Sequence, residues 1–190
     1  MEMALKDYTK SFADRVKVWN VVFCILQKQN PGKDNLLNEN LALAQEYLLR
    51  RKNEDEEITM IRKAFVFGNH LISARDFDET DLEQIYYAGY DIDPYEFRQA
   101  LCMALQLLGQ QEKRDGQNDV EGKNFLVILA DSGIGRTSQE YMTAALRYLD
   151  LDMTPVLIKG ERDDCGWIEY FVESRGGRIY LEQEMGRFCL

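Results

Sequence analysis

A continuous run of six apolar residues at positions 125–130 constrains the fold more than any other feature of the chain. A strand in a parallel α/β sheet is covered by other elements on both faces, so it reads as an unbroken apolar run. A glycine-containing segment follows at residues 131–138, and then apolar residues at helical spacing. We therefore predict a β-α-β-α-β unit over residues 123–190, with strands near 125–130, 155–158 and 178–181. Right-handed crossovers make these three strands parallel.

The preceding residues, 1–109, are predicted to form a helical region. Between residues 7 and 29, apolar side chains recur at a helical spacing: Phe12, Val16, Trp19, Phe23 and Leu26. Further helices are predicted at 36–52, at 58–72 behind the acidic run 54–57, and from Pro94 onward.

Residues 110–122 are polar and are predicted to be a linker. Three strands cannot cover both of their own faces. The expected fold class is therefore α/β in an α+β organisation, with the N-terminal helical region packed on a small parallel three-stranded sheet as one unit.

The glycine-containing segment 131–138 is the candidate binding site. Ligands of open α/β sheets bind beyond the carboxyl ends of the strands. Glycine amides at a helix start favour an anion, and an arginine can pair with it through two hydrogen bonds. Asp163 follows the next strand and is expected at the same sheet edge. The predicted ligand-binding residues are Asp131, Ser132, Gly133, Gly135, Arg136, Thr137, Ser138 and Asp163. A purely structural turn, with glycine for its geometry and Ser or Thr as caps, explains the same segment and stays open.

Residues 130–137 resemble the phosphate loop of the cysteine-dependent protein tyrosine phosphatases. The resemblance lies in the ending Gly-x-Gly-Arg-Thr at residues 133–137, and it implies a loop that binds phosphate. Ala130 stands where that family has its nucleophilic cysteine, and Leu129 stands where it usually has histidine. A phosphocysteine intermediate is therefore excluded for the sequence as written. The sequence leaves open whether Ala130 is natural or replaces a cysteine.

Composition excludes several classes of function. The net charge is −10, which disfavours direct nucleic-acid binding because such binding needs a positive surface. No apolar run approaches the ~20 residues of a membrane span, and the N-terminal residues have no hydrophobic signal core, so we expect a cytoplasmic protein. Four scattered cysteines are interpreted as reduced thiols. With a single histidine, His70, they form no familiar zinc pattern, and no metal or cofactor is predicted.

The missing nucleophile and the acidity favour a non-enzymatic protein-interaction or regulatory protein of the inhibitor, immunity or adaptor type, with a protein partner. The alternative is an α/β protein that binds a phosphorylated small molecule or nucleotide at residues 131–138, with or without hydrolase or transferase chemistry. A second alternative is an acidic mimic of a nucleic acid.

Overall fold

The computed structural model describes residues 16–26, 36–67, 70–72, 94–130 and 150–190, with the backbone alone at 36–38, 67, 70–72 and 94–98. The elements, in chain order, are β1 (Lys17–Leu26), α1 (Leu36–Glu54), β2 (Ile58–Phe67), β3 (His70–Ile72), α2 (Pro94–Gln117), β4 (Glu121–Ala130), β5 (Thr154–Lys159), α3 (Trp167–Ser174) and β6 (Arg178–Leu181), followed by a 3₁₀ helix at Glu182–Arg187.

The strands of these residues form one sheet in the order β3-β2-β1-β4-β5-β6. Strands β1, β2, β4, β5 and β6 are parallel, and the short β3 runs antiparallel to β2 at the edge. The α/β class is confirmed. The predicted sheet of three strands is wrong, because six strands from both halves of the chain share one sheet.

The predicted helical character of the N-terminal region is wrong at β1 and β2. Val18, Val21, Val22 and Ile25 of β1 are all buried, because neighbouring strands and packed helices cover both faces. A fully buried strand and a buried helix give the same unbroken apolar run, so periodicity alone does not separate them. The β-branched residues of this run favour the strand. The same ambiguity affects residues 58–67, which form β2.

Residues 110–117, predicted as part of a polar linker, form the last turns of α2. Two of their polar side chains, Gln111 and Asp115, are buried against the sheet. Both side chains face a polar residue of the sheet. Arg62 of β2 donates a hydrogen bond to each of them.

Several predicted elements are confirmed. Helix α1 covers the predicted residues 36–52, and α2 starts at the predicted Pro94. The C-terminal strands lie where they are predicted, and residues 125–130 are buried at the centre of the sheet between β1 and β5.

The helices pack on two sides of the sheet. The Arg51 guanidinium of α1 lies 5.8 Å from the Trp19 ring centroid, so α1 covers the side to which Trp19 points. Asn20, the next residue of β1, points to the opposite side of the sheet and donates a hydrogen bond to Asp115 of α2. Helix α2 therefore covers that side. We call these sides the α1 face and the α2 face. Within the described chain, no helix is long and apolar enough to cross a membrane.

Candidate functional site

The carboxyl ends of four strands lie in one row. Leu26 of β1 pairs with Ala130 of β4, Ala130 pairs with Lys159 of β5, and Lys159 pairs with Leu181 of β6. Ala130 ends β4 between the ends of β1 and β5, and the candidate segment 131–138 follows it in the sequence. The segment itself lies outside the described residues.

The strand order reverses at this position. From β1 the chain first adds β2 and β3 on one side, and it then places β4, β5 and β6 on the other. In open α/β sheets, a reversal of this kind leaves a crevice beyond the carboxyl ends of the two central strands, and ligands bind in it. Here those two strands are β1 and β4.

Lys159, at the carboxyl end of β5, is the charged side chain that the structure adds to this edge. Its Nζ atom donates to Glu169 Oε1 at 2.6 Å and to the Asp163 carbonyl oxygen at 2.7 Å. The side chain is 13% exposed. Burial alone lowers the pKa of Lys159, but the hydrogen bond and negative charge of Glu169 raise it by more, so the pKa lies above the ordinary lysine value.

Asp163 is the one predicted site residue that the structure describes. It is half-buried in the connection between β5 and α3, its amide donates to the Gly160 carbonyl at 3.1 Å, and its own carbonyl is held by Lys159. It therefore lies four residues beyond the end of β5, at the predicted edge of the sheet. The other predicted residues, Asp131, Ser132, Gly133, Gly135, Arg136, Thr137 and Ser138, fall outside the described ranges.

The connection that carries Asp163 is fixed by local hydrogen bonds. Asp164 Oδ1 accepts from the Gly166 amide at 2.9 Å, and Gly166 precedes the first residue of α3 with φ 54°. Glu169 accepts from the Cys165 amide at 3.0 Å while it also pairs with Lys159. One glutamate thus joins the strand end to the start of α3, which gives Asp163 a defined backbone position.

Sequence reasoning missed Lys159. The available signal was its place directly after the predicted strand 155–158, on the edge where ligands are expected. Its nearness to Ala130 depends on the pairing of β4 with β5, which the sequence pattern does not reveal.

Cys24 supplies no activated nucleophile in the core. All four cysteines are free, and Cys24 is fully buried on the α2 face. Burial in apolar surroundings raises the pKa of the Cys24 thiol, so it stays protonated and acts as a small hydrophobe. Across the described ranges, no group of three or more His, Cys, Asp or Glu residues is arranged to hold a metal ion.

A scan against protein-family models found no matching family, and a search of curated proteins found no significant match.

Proposed function

We propose that this chain is a non-enzymatic binding protein of the interaction or regulatory type, and that its target docks at the carboxyl edge of the sheet. The observation that carries the proposal is the pairing of Leu26 with Ala130 at the point where the strand order reverses. Crevices at such reversals are the usual binding sites of open α/β sheets. The segment that starts at this point carries glycines, hydroxyls and Arg136, which suit an anionic group on the target.

The alanine at the end of β4 supports binding without phosphocysteine chemistry. Ala130 ends β4 with a buried methyl group, where the resembling phosphatases carry the attacking thiolate. Cys24, a buried thiol of β1 on the α2 face, stays protonated because burial raises its pKa.

The second candidate is a phosphorylated small molecule or nucleotide as the target. Lys159 favours it, because this cation lies one strand from Ala130 and orders the backbone of Asp163. The charge of Lys159 is already paired with Glu169. Lys159 therefore contributes by positioning the backbone of Asp163 and by neutralising Glu169, whose negative charge would otherwise repel an anion. The nucleic-acid mimic stays a prediction, for which the described residues offer no support.

Thermal unfolding in the presence of inorganic phosphate, nucleotides and sugar phosphates tests the small-molecule candidate. A ligand at 100 times its Kd stabilises the folded state by about 2.7 kcal/mol, which raises Tm by several degrees. The Arg136→Ala variant is expected to lose that shift, and Arg114→Ala, an exposed arginine in the last turn of α2 at the opposite edge, is the matched control that keeps it. A shift that survives Arg136→Ala places the ligand elsewhere and contradicts this candidate.

Photo-crosslinking tests the protein-partner candidate. A photoreactive residue at Ser132 is compared with one at Asn118, which is exposed at the opposite edge of the sheet. In extracts of the producing cell, we expect a discrete crosslinked adduct from position 132 and none from position 118. An excess of wild-type protein without the photoreactive residue should suppress this adduct, and an excess of Arg136→Ala should not. Equal adducts from both positions, or equal competition by the variant, would overturn docking at the carboxyl edge.

A further inference from the structure

A groove of about 530 Å³ lies at the opposite, amino edge of the sheet, on the α1 face. Its floor is built by residues that pair in register on adjacent strands: Trp19 with Lys123, Phe125 with Thr154, and Val156 with Arg178. Arg51 of α1 borders it at one end, and Cys189 borders it at the other. Its volume is within the range of small-molecule sites, about 300–1,000 Å³.

The charge of this lining is opposite to that of the protein. Arg51, Lys123 and Arg178 line the groove, against one carboxylate side chain, Asp152, whereas the whole chain carries −10. Arg51 is paired with Asp55 at 2.9 Å. Within the described residues, neither Lys123 nor Arg178 takes part in an ion pair, and both are exposed. These two cations are available to an anion in the groove.

Arg178 is oriented by two neighbouring side chains, neither of which is a carboxylate. Its Nη1 atom contacts Cys189 Sγ and lies 3.5 Å from the Tyr180 hydroxyl. These contacts fix the direction of the guanidinium and leave it without a carboxylate partner among the described residues.

Two aromatic rings lie beside these cations. The Trp19 and Phe125 ring centroids are 4.9 Å apart, with their planes tilted by 51°. Aromatic surface next to unpaired cations suits a ligand that has a flat apolar part and a negative group. A smaller adjoining cavity of about 90 Å³ is lined by Asp55, Glu57 and Glu121 as well as by Lys17 and Lys123, so the anion is expected on the side of the groove that Arg178 borders.

We propose that the groove binds a small aromatic anion, an aryl carboxylate or aryl phosphate, with its charged group at Arg178, attracted also by Lys123, and its ring against the part of the floor formed by Trp19 and Phe125. This site is separate from the carboxyl edge, because its residues lie in the amino-terminal halves of β1, β4 and β5 and at the start of β6. The proposal does not depend on the proposed function at the carboxyl edge.

Ligand-observed NMR with phenyl phosphate, benzoate and the neutral benzyl alcohol tests the proposal. Wild type is expected to bind both anions and to bind benzyl alcohol at least about tenfold more weakly, since each charge-assisted hydrogen bond contributes strongly. The double variant Lys123→Gln, Arg178→Gln is expected to lose anion affinity by about tenfold or more. The exposed Lys113→Gln on α2 is the matched control and keeps wild-type affinity.

Two further arms keep the result decisive. Arg136→Ala must leave benzoate binding unchanged, which separates the groove from the carboxyl edge. In wild type, bound benzoate is expected to slow alkylation of Cys189 by iodoacetamide at least threefold, while half-buried Cys102 of α2, on the other face, reacts at an unchanged rate. Absence of anion binding, undiminished binding by the double variant or an unprotected Cys189 would each overturn the proposal.

Discussion

Arg62 of β2 and Asp115 of α2 form an ion pair of 2.6 Å whose side chains are 16% and 3% exposed. Asn20 of β1 donates to the other Asp115 oxygen at 2.8 Å and to Asn124 of β4 at 2.9 Å. Arg62, Asn20 and Asn124 are paired in register, so three adjacent strands present one polar row to α2. An apolar contact would tolerate sliding of the helix, whereas this row is satisfied in one position of α2.

Replacing Asp115 by alanine is expected to lower the free energy of unfolding by about 3–5 kcal/mol, because a buried arginine loses its counter-charge. Urea denaturation measures the loss. Glu57→Ala is the control, since its pair with Lys17 is exposed and its removal should have a much smaller effect. Equal losses in the two variants would mean that the buried pair does not hold α2 on the sheet.

The predictable part of the fold is the part in which local pattern and tertiary role agree. Residues 125–130 form a short unbroken apolar run with a glycine-containing segment after it, and this short length and this boundary favour a buried strand over a helix. Trp19 and Phe23 are buried in the core, but their spacing of four residues predicts a helix. What makes this segment a strand is ladder pairing with β2 and β4, which are distant in sequence.

Some residues of the two candidate sites could be predicted from local sequence pattern, and others depend on tertiary structure. Asp163 was predicted from its position after a strand, whereas the contact of Lys159 with its carbonyl depends on side-chain geometry. The amino-edge groove could not be predicted, because Lys123 and Arg178 line one groove only through the order of β4, β5 and β6.

Phe23→Ala is expected to cost about 3–5 kcal/mol of stability, the usual loss for a large buried aromatic. Phe23 is fully buried and stacks on Phe65 with ring centroids 4.6 Å apart. Trp19→Ala should fall in the same range. Tyr170→Ala on α3 is the control, because that ring is 73% exposed and its removal should change stability by about 0.5 kcal/mol or less. A loss below about 1 kcal/mol for Phe23→Ala would show that β1 is not the centre of the core.

Two glycine substitutions are expected to have opposite signs. A Cβ atom at Gly177 would overlap the Pro155 carbonyl oxygen and the Val172 side chain, so Gly177→Ala should destabilise by about 1–3 kcal/mol. A Cβ atom at Gly109 in α2 meets nothing within 4 Å, so Gly109→Ala should stabilise by up to about 1 kcal/mol, the gain in helix propensity. Thermal unfolding of the two variants side by side checks the packing of α3 on β5. The same sign for both would contradict it.

The ion pair of Lys159 with Glu169 is expected to give a defined dependence of stability on pH. The pKa of Lys159 is raised in the folded state, so its contribution is fully present below the pKa of an unfolded lysine, about 10.4, and is lost as pH rises through the folded value. The difference in unfolding free energy between wild type and Lys159→Met should therefore be constant from about pH 7 to 9 and shrink above about pH 10.5. Urea denaturation at each pH measures it, and the exposed Lys113→Met serves as the control, whose difference should stay near zero throughout. A difference that grows with rising pH would require a lowered pKa, which would mean that burial outweighs Glu169 and that Lys159 does not secure the Asp163 connection through its charge.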